Sequence, residues 1–264
     1  MKRWLAVFMM IVPVLTGAQP LLEFRNDLAF QASTVNAFAA HIYDDRIRRL
    51  AAAGLLDGDH ALLQRIRDLI SRLRSAAEYE HPAAARIVWE VHVCRKCDEN
   101  ASAMAGGKLL VGEEFIASIA PSDAELAYLL AHEMAHVIAE HTREFATTAR
   151  YFVGMGLKRD YADIQHELDE SIGLQLRMAP LFQQQELEAD YIGFILGARA
   201  GFTPTAMLSL LRKLQGGEPS IMDAHPSTQR RLLQAQTMLE AVERLRAQSL
   251  HDAGWHGPRA DAAQ

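Results

Sequence analysis

His132, Glu133 and His136 stand in the string HEMAH, a spacing suited to metal-assisted hydrolysis. On a helix, side chains four residues apart share one face, so both imidazoles can reach a single tetrahedral zinc ion. Glu133 follows directly after the first histidine and sits beside the metal, where it can take a proton without being a ligand. The other residues from Leu126 to Ala139 are apolar or, like Tyr128, largely so, which predicts a helix buried on most sides. Two imidazoles and a carboxylate at its centre are costly to desolvate unless a cation compensates. The bland alternative is a set of core histidines bonded to one another and to Glu133.

A hydrolytic zinc site needs a third protein ligand and an open position. The segment from Gln183 to Arg199 reads as a helix that offers Glu186, Glu188 and Asp190. Glu186 and Asp190 share a face, and the stripe continues through Gly193 and Gly197, where missing side chains let another helix backbone approach. Packing that stripe on the His132 helix would bring Glu186 to the metal and Asp190 to the outer nitrogen of a ligand histidine. Glu188 points elsewhere and is assigned to a solvated acidic face. His141 lies five residues after His136. The HExxHxxGxxH pattern needs six and a glycine where Ala139 stands, so His141 is read as structural.

Other elements must position these groups. Apolar spacing predicts two helices between Asn26 and Ala77, broken at Gly54 to Asp59. Ile87 to Val93 reads as a strand, and Ala101 to Val111 as a hairpin around Gly106 and Gly107. Ser122 and Glu125 form a capping box that opens the HEMAH helix, expected to run to about His141. A last helix is expected from about Ser227 to about Gln248, followed by a disordered tail over 251–264. Thr142 to Leu181 carries Phe145, Tyr151, Phe152 and Met155 and fits either a lid over a cleft or ordinary helical packing.

With 264 residues, half of them hydrophobic, the chain can bury a sizeable core. Its formal net charge of -6 argues against nucleic acid as a partner. Residues 1–18 run from Lys2 and Arg3 through the apolar stretch Trp4 to Leu15 to the small residues Thr16, Gly17 and Ala18. That is the order of a secretory signal peptide, with residues 19–250 as the exported domain. Cys94 and Cys97 are the only thiols, and in an exported protein they are expected to pair.

The string His132 to His136, the segment Glu186 to Asp190, and Asp223-Ala-His225-Pro226-Ser227 with Arg230 together resemble the M48 metallopeptidases, the Ste24-, HtpX- and BepA-like group. The resemblance runs from about residue 35 to about residue 235 and includes Asn100 to Val111. It implies a gluzincin-type α+β fold, mainly α with a small β-sheet, and HExxH on a central buried helix. It further implies one zinc ion held by His132, His136 and Glu186, with Glu133 as general base and Asp190 behind a ligand. His225 or Arg230 would stabilise the oxyanion; in some relatives the histidine matching His225 instead fills the open zinc position. An edge strand, Ala101 to Ala105 or Lys108 to Val111, would receive an extended peptide through residues such as Ala101, Ser102, Ala103 and Met104.

By the same resemblance the chain is a minimal exported member acting in periplasmic protein quality control. Its partners would be unfolded or misassembled proteins, with peripheral contact to the membrane or to outer-membrane assembly machinery. The rival classes are a chaperone-like adaptor that binds without turnover and a structural or storage zinc protein.

Overall fold

Two helices open the described part of the chain: α1 (Ala32–Ala52) and α2 (His60–Glu80). The computed structural model describes residues 28–154, 159–214 and 229–252. Residues 1–18, expected above as a signal peptide, lie outside those residues, as do Met155, His225 and most of the expected tail, although the last helix extends to Asp252. Gly54 and Asp57, both at positive φ, make the turn between the first two helices. Asp59 then caps α2 by accepting the Leu62 N–H at 2.9 Å. Along α2, Leu62, Ile66, Leu69, Ile70, Leu73 and Ala77 recur at helical spacing and are buried, so its apolar stripe faces the core.

A 3-10 turn, Pro82–Arg86, delays the first strand, so β1 starts at Glu90 rather than Ile87. β1 (Glu90–Cys94), β2 (Ala101–Met104) and β3 (Lys108–Gly112) form one sheet in the order β1-β3-β2. β1 runs parallel to β3 and β2 antiparallel to it. The hairpin turns at Gly106 and Gly107, both at positive φ, where the sequence places it. Because β3 is the middle strand, the option that a peptide pairs with Lys108 to Val111 is excluded; its hydrogen bonds go to β1 and β2. Cys94 and Cys97 are bonded to each other at the end of β1.

The short helix α3 (Glu113–Ile119) leads into α4 (Asp123–Ile138), which carries HEMAH through the centre of the molecule. All side chains from Glu125 to Ala135 are buried, as an apolar helix surface requires. Leu126, Leu130 and Met134 are among its fully buried side chains, each contributing about 1.5–3 kcal/mol over exposure. The capping box is present: Ser122 N–H donates to Glu125 at 2.7 Å, and Glu125 N–H donates to Ser122 Oγ at 3.3 Å. Burial presses the Glu125 carboxyl upward, but Lys213, Ser209 and Ser122 hold it at about 2. Its stabilising contribution is therefore complete above the ordinary carboxylate range and fades as pH falls toward that value. Ser122→Ala should cost about 1 kcal/mol, lowering the thermal midpoint by about 2–4 °C in calorimetry.

The helix ends earlier than expected. Glu140 adopts the left-handed conformation, and α5 (His141–Val153) begins directly after it. α6 (Tyr161–Glu170) and α7 (Ile172–Arg199) follow. α7 begins before Gln183 because Pro180 is accommodated inside it, against the usual reading of proline as a boundary. The described residues of the Thr142 to Leu181 region pack as helices: Ala146, Ala149, Tyr161, Ile164, Leu174 and Met178 share a satellite cluster with Phe30 and Val35. Tyr151 and Phe152 nevertheless remain exposed. α8 (Thr205–Leu214) and α9 (Gln229–Asp252) close the chain over α4 and α7.

Candidate metal centre

α4 and α7 cross closely enough that their backbones touch. A Cβ on Gly193 would lie 3.0 Å from the His132 backbone nitrogen, and one on Gly197 would lie 2.4 Å from the Tyr128 ring. Any side chain at either position would drive the helices apart. The crossing brings His132, His136 and Glu186 together, with one potential ligand atom from each inside a 4.8 Å span. His132 Nε2 and His136 Nε2 are 3.1 Å apart. Glu186 Oε2 is 3.4 Å from the first nitrogen, and Oε1 is 3.3 Å from the second. Ligands about 2.0–2.1 Å from a tetrahedral zinc ion stand about 3.3 Å from one another, so the three atoms fit that ion without rearrangement.

Charge points the same way. His132, Glu133, Glu186, Asp190 and Arg231 are each at most 5% exposed. Three carboxylates thus share one guanidinium, and a divalent cation would balance the remainder. Asp190 Oδ1 lies 2.9 Å from His132 Nδ1, which leaves Nε2 directed at the donor cluster. Burial and Arg231 press His132 toward neutrality, yet hydrogen bonds to Asp190 and Glu186 carry its pKa up to about 9. Burial likewise opposes ionisation of Asp190, but Arg231 and His132 hold its carboxyl below the usual range.

Arg231 is the residue that sequence reading missed. Arg230, taken above for an oxyanion partner, is exposed on α9, whereas Arg231 is buried beside the donors. Its Nε donates to Asp190 Oδ2 at 2.7 Å and Nη2 donates to Oδ1 at 2.8 Å. Nη1 lies 2.9 Å from Glu186 Oε2. The signal was available in the helix phase: Arg231 stands in register with the buried Ala235, Met238 and Val242, and Arg230 does not. Glu188 also departs from its solvated assignment. Its side chain packs against His141, with Oε2 3.3 Å from Nε2, because the start of α5 covers that flank of α7.

A cleft of about 710 Å³ leads away from the donors. It runs from His136, Val137 and Glu140 to Ala105 and Gly106 at the hairpin turn. Beside it, β2 packs on α4 and has no outer strand partner among the described residues. Gly112 N–H donates to Asn100 O, so alternation directs Ser102 and Met104 toward β3 and the backbone groups of Ala101 and Ala103 outward.

A mainly helical fold whose HExxH helix is crossed by a second helix bearing a glutamate has the architecture of a His₂Glu metallopeptidase. The chain belongs to Peptidase family M48, whose profile matches residues 61–239. It is 31% identical over 183 residues to the mitochondrial metalloendopeptidase OMA1 of Arabidopsis thaliana, covering 66% of this chain and 37% of the relative. The match to OMA1 of Saccharomyces cerevisiae is 27% over 195 residues, covering 67% of this chain and 56% of that protein. The beta-barrel assembly-enhancing protease of Escherichia coli K12 is 26% identical over 226 residues, 79% of this chain and 45% of the relative. The chain therefore spans from about a third to just over half of these relatives' lengths.

Proposed function

We propose that the protein is a zinc-dependent metalloendopeptidase, exported to the periplasm, that cleaves unfolded or misassembled envelope proteins. The observation that carries the hydrolase reading is the convergence of His132 Nε2, His136 Nε2 and a Glu186 carboxylate at 3.1, 3.3 and 3.4 Å inside a buried, acid-rich site. A zinc ion held by these residues would supply the Lewis acidity that polarises a peptide carbonyl and acidifies water. Glu133, one position from His132 and outside the donor set, accepts the proton of the attacking water and returns it to the leaving amine. The outward backbone groups of Ala101 and Ala103 hold the peptide as an added strand, aligned with the cleft beside His136.

Envelope substrates are inferred from the signal-like order of residues 1–18 and from likeness to a protease named for enhancing β-barrel assembly. Among the described residues no helix is long and apolar enough to cross a membrane, which suits peripheral contact with a membrane or assembly machinery.

The test is cleavage of an unfolded polypeptide by purified protein, with zinc content measured in parallel. One zinc per chain is expected, activity should vanish on chelation, and it should return with zinc. A chain that stays metal-free in zinc, or cleaves equally well in chelator, sinks the reading. Zinc affinity should also fall about tenfold per unit of decreasing pH below about 9, because the ion must displace the proton held on His132. Chelator competition across that range measures the slope.

A further inference from the structure

His141 belongs to neither the donor set nor the proton chemistry, yet it is 2% exposed and directly behind a donor. Its Nδ1 lies 2.8 Å from Nδ1 of His136. On its other side Nε2 faces Glu188 Oε2 at 3.3 Å, and the Glu188 side chain is 8% exposed. An unbroken helix would not make this contact. Residue i+5 lies about 140° round the axis from residue i, so a continued α4 would carry His141 away from His136. The chain instead passes through Glu140 at φ 53°, ψ 33°, a left-handed conformation that is unfavourable for a non-glycine residue. α5 starts immediately afterward, and Gln185 of α7 donates to the His141 carbonyl at 3.1 Å. The helix break, the backbone tether and the buried side chain all converge on the outer nitrogen of His136.

We propose that Glu140, His141 and Glu188 form a brace that positions His136 as a metal ligand. Glu140 makes the fold-back, His141 fixes the His136 ring and its tautomer, and Glu188 fixes His141. The inference rests on the metal-centre reading above. Its hydrogen-bond polarity starts from the carboxylate: ionised Glu188 only accepts, so His141 Nε2 donates to it. His141 Nδ1 is then a lone-pair site that accepts from His136 Nδ1–H. That leaves the lone pair of His136 on Nε2, the atom 3.3 Å from Glu186. Reversing the chain would put a proton on the ligating atom. His132 is oriented by a carboxylate directly through Asp190, whereas His136 is oriented by one through an intervening imidazole. His141 is thus a positioning residue.

Zinc affinity of the full chain, measured by chelator competition, tests the brace alongside the thermal midpoint of each metal-free variant. Glu188→Gln keeps the side-chain size but can donate to His141 and reverse the polarity. It should weaken zinc binding about 10–100-fold with an unchanged midpoint, and His141→Ala should weaken it by as much while also lowering the midpoint through the cavity it leaves. His141→Asn retains an acceptor near the Nδ1 position and should recover most of the lost affinity. The double variant His141→Ala/Glu188→Gln should lose less than the sum of the two single losses, because both side chains act on His136 along the same hydrogen-bonded chain. Unchanged affinity in Glu188→Gln, or additive losses in the double variant, overturns the brace. Should His141→Ala fail to fold, Glu188→Gln alone decides. A wild-type chain that binds no zinc removes the metal-centre reading itself, an outcome distinct from a wild type that binds and variants that do not differ.

Discussion

Glu133→Gln should leave one zinc bound and the fold intact while lowering peptide turnover by about 10²–10⁴-fold. The substitution keeps shape and hydrogen-bonding capacity but removes the basic carboxylate. Glu133 is buried on α4 between the two histidines and is not one of the three converging donors, so the metal contacts do not depend on it. Zinc content, far-ultraviolet circular dichroism and single-turnover cleavage together isolate the effect. Full activity in the variant would remove Glu133 from the proton chemistry. Loss of cleavage with retained binding of unfolded protein would separate hydrolysis from any chaperone-like role.

Arg231→Ala should be the most destabilising single change at the site, at about 3–5 kcal/mol. It strips the guanidinium from Asp190 and Glu186, two carboxylates buried to 1% and 2% exposure. Burial alone would weaken the Arg231 charge, but Asp190, Glu186 and Glu133 hold it in place. The same carboxylates would lose their counter-charge when it goes. A drop of this size lowers the midpoint by about 6–20 °C in a domain of this length. Saturating zinc should restore part of the loss, since a divalent cation offsets the same charge. Arg230→Ala, on the exposed side of α9, should stay within about 0.5 kcal/mol of the parent. Thermal unfolding of both variants with and without zinc gives the comparison, and equal effects would contradict the assigned charge balance.

Much of this arrangement was legible because it depends on local periodicity. The helix of His132, the hairpin at Gly106 and Gly107, and the stripe Glu186, Asp190, Gly193, Gly197 are set by spacing within one element. What escaped depends on events between elements. Nothing near Glu140 marks a left-handed break, since glycine, the usual residue there, is absent. His141 was therefore read only as a structural residue, although the break folds it back onto His136. Glu188 was assigned to solvent because helix phase says which residues share a face, not what covers the others. Pro180 hid the first turns of α7 by mimicking a helix boundary. α6 and α8 are short, and their cues, Asp160 with Asp163 and the trio Met207, Leu210, Leu211, are brief enough to pass for loop.

The charge-balancing arginine comes from α9, well downstream of both helices that carry the donors. A ribosome thus makes HEMAH and Glu186 before it makes Arg231. Until α9 docks, Asp190 and Glu186 lack the guanidinium that faces them in the folded chain, so the charge balance of the crossing waits on that helix.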